Sequence, residues 1–360
     1  MRVLVVNAGS SSLKLRLLGP DDEVLADTEV QRWDGDPGHA DIGEFVNGLT
    51  DVDAVGHRVV HGGSRFQSAI RLDEGVVAAL EALTPLAPLH QPRALAGIRA
   101  TATLLPDVVA VACFDTAFHA TLPPAAATYA LPAEWNERFG LRRFGFHGLS
   151  HAWAGRRASE LLSRPEDGFR LVSAHLGSGA SLCAIAGGRS VATTMGFTPL
   201  EGLVMATRSG DVDPGLLLYM LQRCGLGVDE LADSLQQRSG LAGLSGTSGD
   251  MRDVLAAASG GDENAVLAYN VWLHRLRAGV AAMAAAMGGL DALSFTGGIG
   301  EHTARARADA CSGLGFVGLT VDAEANATTT ADGVISERVV VVTAREDRQI
   351  AAEVRALLSP

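Results

Sequence analysis

One pattern of residues occurs twice in the chain, once in each half: an apolar run, a turn of glycine and serine, and a second apolar run. The first copy is VLVVNAGSSSLKLRLL and the second is RLVSAHLGSGASLCAIA. Asn7 and His175 occupy matching places, 168 residues apart in a chain of 360. Apolar runs rich in β-branched residues and bounded by Gly and Ser predict buried strands. The pattern favours an internal duplication into two similar β-sheet domains, with coincidence between two glycine hairpins as the alternative.

Segments with helical periodicity fill the chain between the predicted strands, as in an α/β protein. The predicted strands near the start are residues 2–6, 13–18 and 23–30. The predicted helices are residues 74–83, 91–105, 147–163, 214–224, 263–287, 303–313 and 346–358. Asp213 and Pro214 give the fourth of these helices a clear start signal. We place the domain boundary near residues 116–120, with a first domain of residues 1–117 plus 347–360 and a second of residues 118–346.

The net charge and the cysteines indicate which partners and which cellular compartment to expect. The net charge of −12 argues against nucleic acid or an anionic membrane as the main partner. The four cysteines (Cys113, Cys183, Cys224 and Cys311) are far apart and form no CxxC motif, which predicts thiols in a reducing compartment. The apolar run at residues 3–6 is too short for a signal peptide, so we expect a cytoplasmic protein with no membrane partner.

Three glycine-rich stretches follow apolar strands: NAGSSSLK, HLGSGAS and TGGIGEH. Such loops can direct backbone N–H groups at phosphate oxygens without obstruction by side chains. None of them matches a P-loop or a Rossmann fingerprint. In the first loop Lys14 can reach a phosphate as a point charge or be a solvated lysine, and Asn7 can simply end the strand. Three such loops in one chain indicate a phosphate-binding protein.

Charged residues at strand ends and in one long irregular segment are candidates for chemistry. Arg58 lies among apolar residues in GHRVVHGG, where it needs either an anionic ligand or a structural salt bridge. Asp115 ends the strand of VVAVACFD, a position typical both of catalytic carboxylates and of turns. MGFTPLEGLVMATRSGDVDPG is an irregular segment whose Arg208 we expect to be functional. His147 and His151 have a spacing that permits metal binding, but no HExxH glutamate accompanies them, and we reject a zinc site.

Taken together, six stretches resemble the acetokinase family: NAGSSSLK, FDTAFH, RRFGFHG, HLGSGAS, MGFTPLEGLVMATRSGDVDP and TGGIGE. The resemblance runs in register from residue 1 to about residue 315 and more loosely to the C-terminus. It implies two duplicated α/β domains of the actin-like, ribonuclease H-like kind, with a nucleotide cleft between them. It also implies reversible, direct in-line phosphoryl transfer from ATP to acetate, giving acetyl phosphate and ADP. Mg²⁺ is the implied cofactor, Mn²⁺ can replace it, and the implied assembly is a homodimer.

The resemblance also assigns roles to individual residues. Catalytic roles fall on Asp115, His147 and Arg208, and the metal site on Asn7 and Glu346. The acid-binding residues are Arg58 for the carboxylate and Val60, Leu89, Phe146 and Pro199 for the methyl group. The nucleotide residues are Ser10, Ser12, Lys14, His175, Leu176, Gly177, Ser178, Gly179, Asp250, Met251, Arg252, Gly298, Ile299, Gly300, Glu301 and His302.

Several departures from the family pattern leave alternatives open. Ser178 and His302 stand where the family usually has asparagine, which bears on the choice of phosphate donor. The first domain is a few dozen residues shorter before Arg58 than in typical members, and Asp347 competes with its neighbour Glu346 as metal ligand. The alternative functions are a propionate or butyrate kinase of the same family, a non-catalytic nucleotide-binding module, and a phosphatase of the same superfold.

Overall fold

The computed structural model describes residues 1–9, 12–31, 33, 35–36, 38–88 and 90–359. They form two compact units. The first unit comprises Met1–Ala120, Phe146–Trp153 and Arg345–Pro360, and the second comprises Thr121–Gly145 and Ala154–Ala344. Within the described residues, no helix combines the length and the apolar character that crossing a bilayer requires.

The first unit is built on a six-stranded sheet of the described residues, with strand order β3-β2-β1-β4-β6-β5. Its strands are β1 (Val3–Ala8), β2 (Ser12–Leu18), β3 (Val24–Gln31), β4 (Ala54–Val59), β5 (Ile70–Arg71) and β6 (Val109–Phe114). The central strands β1, β4 and β6 are parallel, whereas β2 and β3 form an antiparallel meander beside β1. The carboxyl ends of the three parallel strands therefore meet at one edge of the sheet.

Helices cover both faces of this sheet, and the alternation of side chains along β1 explains how. The helices are α1 (Ala40–Asn47), α2 (Glu74–Ala82), α3 (Gln91–Leu104) and, at the end of the chain, α15 (Glu346–Leu358). Leu4 and Val6 pack in one core cluster with residues of α1 and α3. Val3 and Val5 point to the opposite face, where they pack with Ile350 of α15.

The second unit repeats this arrangement with the strand order β11-β12-β10-β7-β8-β9. Its strands are β7 (Arg170–Leu176), β8 (Ala180–Ala186), β9 (Arg189–Thr193), β10 (Ala292–Thr296), β11 (Gly333–Ser336) and β12 (Val339–Val341). Here β7, β10 and β12 are parallel, and β8 and β9 form the antiparallel meander. The order and direction of the strands match those of the first unit, so the predicted duplication is confirmed.

The remaining helices belong to the second unit, except that α6 begins in the first unit. They are α4 (Pro124–Ala127), α5 (Ala133–Phe139), α6 (Gly148–Leu161), α7 (Pro214–Arg223), α8 (Val228–Gln237), α9 (Gly240–Ser245), α10 (Met251–Ser259), α11 (Glu263–Ala286), α12 (Gly297–His302), α13 (Ala304–Ser312) and α14 (Ala323–Thr328). Asp213 caps α7 by accepting a hydrogen bond from the Gly215 N–H, as predicted.

The predicted strands and helices are confirmed to within two residues at each end, with one correction. The sequence predicts an open glycine loop at Thr296–His302, whereas Gly297–His302 is the short helix α12. The reason is local, because the Glu301 carboxylate accepts a hydrogen bond from the Gly297 N–H and so closes a helical turn. The sequence does not predict helices α1, α4, α5, α8, α9, α10 and α14.

Candidate active site

Three of the predicted site residues of the first unit meet at the carboxyl ends of its parallel strands. Asn7 lies near the end of β1, Arg58 lies in β4, and Asp115 directly follows β6. The fourth, Glu346, is the first residue of α15, which packs on the same sheet. Strand ends of an open parallel sheet are where α/β proteins place their ligands, and that rule predicts a site role for Asp115. Asn7, Arg58 and Glu346 are predicted site residues through the resemblance to the acetokinase family.

Arg58 joins the other three residues into one hydrogen-bonded cluster. Its Nη2 donates to Asp115 Oδ2 at 2.7 Å, and its Nε donates to Asp115 Oδ1 at 3.1 Å. Its Nη1 donates to Asn7 Oδ1 at 3.1 Å and lies 3.4 Å from Glu346 Oε2. Asn7 Nδ2 in turn donates to Glu346 Oε2 at 2.9 Å. Both predicted roles of Arg58, structural ion pair and anion ligand, are compatible with this geometry, because one Nη2 hydrogen is not used by these contacts.

Burial controls the electrostatics of this cluster. Asp115 is only 1% exposed, and burial raises its pKa while the Arg58 guanidinium opposes that rise and the Glu346 carboxylate adds to it. For Arg58, burial lowers the pKa, but Asp115 and Glu346 outweigh burial and raise it. Arg58 thus lies against two carboxylates, those of Asp115 and Glu346.

Glu346 and its neighbour Asp347 have different partners. Asp347 accepts hydrogen bonds from Arg16 Nη1 at 2.9 Å and from Arg345 Nε at 2.9 Å and Nη2 at 2.8 Å. Burial would raise the pKa of Asp347, but these two guanidinium groups lower it below its ordinary value. Asp347 is thus held in an ion-pair network, whereas Glu346 is the carboxylate directed at Asn7 and Arg58.

His147 precedes α6 in a strained backbone conformation. Its φ is +57°, in the left-handed region that non-glycine residues rarely adopt, and its carbonyl accepts the His151 N–H at 2.9 Å. The next residue is tied to the catalytic candidate, because the Gly148 N–H donates to the Asp115 carbonyl at 2.8 Å. A Cβ on Gly148 would lie 2.2 Å from that oxygen, so only glycine fits. His147 is therefore held close to Asp115 along the backbone.

Of the acid-binding residues, Val60 and Phe146 belong to the first unit, and both are buried. The Phe146 ring packs edge-on against His61 with a centroid distance of 5.4 Å. Leu89 and the nucleotide candidate Ser10 lie outside the described residues.

Lys14 and Ser12, both predicted on the nucleotide side, lie on β2. Lys14 is the register partner of Asn7 across the β1–β2 pair, so the two side chains project from the same face of the sheet. The Lys14 side chain is 60% exposed and its Nζ lies 3.7 Å from Glu29 Oε1. Ser12 Oγ donates to the same carboxylate at 2.7 Å. An exposed pair of this kind is weak, and Lys14 can leave it for a ligand at little cost.

Arg208 of the second unit is a partly buried cation without an ion-pair partner among the described residues. Its Nη1 donates to the Pro199 carbonyl at 2.6 Å. Within the described part of the chain, no carboxylate oxygen lies within 4.0 Å of its guanidinium group, and burial lowers its pKa. Burying a charge without a partner is unfavourable, which points to an anionic ligand as the missing partner.

Two residues that sequence reasoning did not single out hold the segment that carries Pro199 and Arg208. The Tyr129 hydroxyl donates to Glu201 Oε2 at 2.6 Å and accepts the Phe197 N–H at 2.7 Å. Arg143 pairs with the other Glu201 oxygen and donates to the carbonyls of residues 194 and 195. The apolar-to-polar irregularity of the segment is the only sequence signal, and it does not identify these distant partners.

The two glycine-rich stretches of the second unit lie side by side. The parallel strands β7 and β10 place His175 opposite Thr296, so that Gly177–Gly179 and α12 follow at adjacent strand ends. Gly297 has a φ of +79°, and a Cβ there would lie 2.8 Å from the Leu176 carbonyl oxygen. This close approach requires glycine and brings two of the predicted nucleotide segments together.

The third predicted nucleotide segment is the start of α10. Asp250 caps this helix and forms an ion pair with Arg252, whose guanidinium group and backbone N–H hold the pKa of Asp250 at about 2. Met251 is buried in the core. Arg252 and His302 are exposed, and Ser178 lies in the glycine-rich turn after β7.

Comparisons with known proteins show which family the chain resembles over its length. A sequence profile of the acetokinase family matches residues 40–352. The chain belongs to the acetokinase family. An acetate kinase of Nostoc punctiforme is 42% identical over 397 aligned positions and covers 98% of both chains. A propionate kinase of Citrobacter rodentium is 44% identical over 386 positions, with 98% of this chain and 96% of the relative covered.

Among solved structures, that of Porphyromonas gingivalis acetate kinase is similar, with a TM-score of 0.91 and 38% sequence identity. The structural alignment covers 99% of this chain and 100% of the Porphyromonas gingivalis chain. This acetokinase-family chain therefore has the duplicated actin-like α/β fold over its described length, and it is a kinase.

Proposed function

We propose that this protein is an acetate kinase, which transfers the γ-phosphoryl group of ATP reversibly to acetate and yields acetyl phosphate and ADP by direct in-line transfer. The observation that carries the proposal is the cluster in which Arg58 binds two carboxylates, Asp115 and Glu346, at the ends of the parallel strands. Membership of the acetokinase family and the names of its relatives support the same reaction.

The reaction needs charge stabilisation more than a base. An acetate carboxyl group ionises well below neutral pH, as Glu does, so the acceptor is already a nucleophile. The barrier is the repulsion between two anions, and phosphoryl transfer is catalysed mainly by positioning and by neutralisation of charge. We assign Arg58 to the acetate carboxylate and Arg208 to the oxygens of the transferring phosphoryl group, with His147 as a further donor to them. Asp115 then orients Arg58 and does not remove a proton.

The residues present fit a magnesium ion. Asn7 offers an amide oxygen and Glu346 a carboxylate, and the two side chains are held together by the hydrogen bond from Asn7 Nδ2 to Glu346 Oε2. Mg²⁺ prefers oxygen ligands and is usually bound by one or two carboxylates together with substrate phosphates. When bound, it would neutralise phosphate charge. Mn²⁺ accepts the same donors and can replace it.

We propose that the carboxylic acid acceptor has a short carbon chain. We assign the methyl group of acetate to the buried side chains of Val60 and Phe146, and Pro199 and Leu89 keep their predicted roles. A propionate kinase is the second candidate, because relatives at similar identity carry both names. One methylene changes binding by about 1–3 kcal/mol, so the ranking of acids must be measured.

On the nucleotide side we propose ATP and ADP as co-substrates of three segments, residues 175–179, 250–252 and 298–302, together with Lys14, Ser10 and Ser12. The adjacency of the first and third segments at the ends of β7 and β10 supports this assignment. Ser178 and His302 are the positions at which the phosphate donor can be tested by exchange to asparagine.

The assay is the formation of acyl phosphate, trapped with hydroxylamine, from ATP and acetate, propionate or butyrate. We expect kcat/KM to be highest for acetate, and turnover to require Mg²⁺. Release of phosphate without any acid would favour a phosphatase, and nucleotide binding without turnover would favour a non-catalytic module. A higher kcat/KM for propionate would replace acetate by its homologue.

Assembly and location complete the proposal. We propose a homodimer, which agrees with the exposed apolar side chains Leu216, Leu218 and Tyr219 of α7 and Val228 of α8. Sedimentation equilibrium measures the oligomeric state. A cytoplasmic location is supported by the thiols of Cys113, Cys183 and Cys311, which are free and buried.

A further inference from the structure

Arg307 of α13 is a buried arginine that is not among the predicted catalytic or ligand-binding residues. It is 1% exposed, while Arg305, two residues earlier on the same helix, keeps a side-chain exposure of 53%. A buried guanidinium group is costly unless every donor finds an acceptor. Arg307 satisfies that condition without any carboxylate.

All five N–H groups of Arg307 donate to uncharged oxygens. Nη1 donates to the carbonyls of Gly300 at 2.9 Å and Glu301 at 2.6 Å. Nε donates to Asn326 Oδ1 at 2.8 Å, and Nη2 donates to the Asn326 carbonyl at 2.7 Å and the Thr329 carbonyl at 3.1 Å. The first two carbonyls lie in the last turn of α12 and the last two at the end of α14. One cation thus caps the carboxyl ends of two helices, where carbonyl groups lack partners and the helix dipole favours positive charge.

The opposite end of α12 is held as well. Glu301 Oε1 accepts the N–H groups of Gly297 at 2.8 Å and Ala344 at 3.0 Å, and Glu301 is 7% exposed. Oε1 of the Glu301 carboxylate is therefore committed to the backbone. Helix α12 is fixed at its start by Glu301 and at its end by Arg307.

We propose that Arg307 is a positioning residue for the nucleotide, which acts by holding α12 in the place where residues 298–302 contact the phosphates. The inference rests on the proposed function, because that function assigns this segment to ATP and ADP. Arg307 itself does not touch the nucleotide. It fixes the short helix that does.

The test compares Arg307→Met and Arg307→Lys with Arg305→Met, which makes the same exchange at the exposed arginine of the same helix. The dissociation constant of ADP is measured by calorimetry with Mg²⁺, and the KM values of ATP and acetate by the hydroxylamine assay, well below the melting temperature of each variant. We expect Arg307→Met to raise the ADP dissociation constant and the KM of ATP about tenfold or more, with the KM of acetate within about twofold.

Lysine supplies at most three of the five hydrogen bonds, so Arg307→Lys should fall between wild type and Arg307→Met. Arg305→Met should bind ADP as wild type does. If Arg307→Met does not fold, Arg307→Lys carries the comparison. A variant at residue 307 that lowers the melting temperature but leaves the affinity for ADP unchanged contradicts the inference, as does an equal rise in the KM values of ATP and acetate.

The two proposals can fail separately. A wild-type protein that binds ADP but forms no acyl phosphate refutes the proposed reaction, and the ADP affinities of the variants then still decide the role of Arg307. A wild-type protein that binds no ADP refutes the nucleotide assignment of residues 298–302 and the positioning role with it.

Discussion

Glu346 and Asp347 are adjacent carboxylates, and replacing each by its amide should impair a different property of the protein. Glu346→Gln removes a charge from the Arg58 cluster, and Asp347→Asn removes one from the network of Arg16 and Arg345. Each exchange preserves the shape of the side chain. If the assignment is correct, the first impairs catalysis and the second impairs stability.

The expected magnitudes follow from the contacts. Asp347 accepts three charge-assisted hydrogen bonds and its side chain is 12% exposed. Breaking a fully buried ion pair costs about 3–5 kcal/mol, and asparagine keeps one acceptor, so we expect Asp347→Asn to lower the unfolding free energy by about 2 kcal/mol. Because the folded-state pKa of Asp347 is lowered, this stabilisation exists above the unfolded pKa of about 4 and disappears as the pH falls below it.

Glu346→Gln should leave the fold about as stable as wild type, since the loss of its attraction to Arg58 is offset by the loss of its repulsion of Asp115. A metal ligand contributes several kcal/mol to a phosphoryl-transfer transition state, so kcat/KM should fall about 100-fold or more and the Mg²⁺ requirement should rise.

The assays are urea unfolding at pH 7 and pH 3 and acyl phosphate formation over a Mg²⁺ titration. A rise in the Mg²⁺ requirement for Asp347→Asn but not for Glu346→Gln would contradict the assignment of Glu346 as the metal ligand. A stability difference for Asp347→Asn that is the same at both pH values would contradict its ion-pair assignment.

Three further predictions concern single residues. Arg208→Ala should reduce kcat about 1000-fold while the unfolding free energy stays within about 1 kcal/mol of wild type, and normal turnover in the hydroxylamine assay would exclude the assigned role. Burial lowers the pKa of His57 to about 3, so below pH 6.5 the unfolded chain takes up a proton that the folded chain does not, which costs about 2 kcal/mol at pH 5. His57→Gln should remove that loss of stability between pH 7 and pH 5, and an unchanged pH profile in urea unfolding would contradict it. Gly148→Ala should destabilise the protein by about 1–3 kcal/mol and reduce kcat by displacing Asp115. Gly43→Ala, with open space around it, should do neither. A Gly148→Ala protein with wild-type melting temperature and turnover would show that the close approach of Gly148 to the Asp115 carbonyl is unimportant.

The strands were predictable because their sequence signals are local, and the duplication was predictable because these signals recur in both halves of the chain. Apolar runs bounded by Gly and Ser mark β1, β2, β7 and β8, and the matching positions of Asn7 and His175 in the two halves revealed the repeat. The strand-end rule predicts a site role for Asp115, whereas the grouping of Asn7 and Arg58 with it follows from the resemblance to the acetokinase family.

The contacts that hold the site were not predictable, because they join residues far apart in sequence. Arg307 meets Asn326, Tyr129 meets Glu201, and the partners of Asp347 include Arg16 more than 300 residues away. The resemblance assigns the metal site to Glu346 but leaves Asp347 open as an alternative, since only the partners of a carboxylate distinguish the two. The helical form of Gly297–His302 depends on the turn of the Glu301 side chain, which no periodicity reveals.

In the proposed reaction the carboxylate of acetate attacks the γ-phosphorus of ATP. Acetate labelled with ¹⁸O in both oxygens, incubated with ATP, Mg²⁺ and the protein, tests this attack directly when the acetyl phosphate is examined by ³¹P NMR and mass spectrometry. We expect acetyl phosphate whose phosphorus carries one ¹⁸O, in the bridging position. Acetyl phosphate without ¹⁸O on phosphorus, or ADP formation with no acyl phosphate at all, would contradict it.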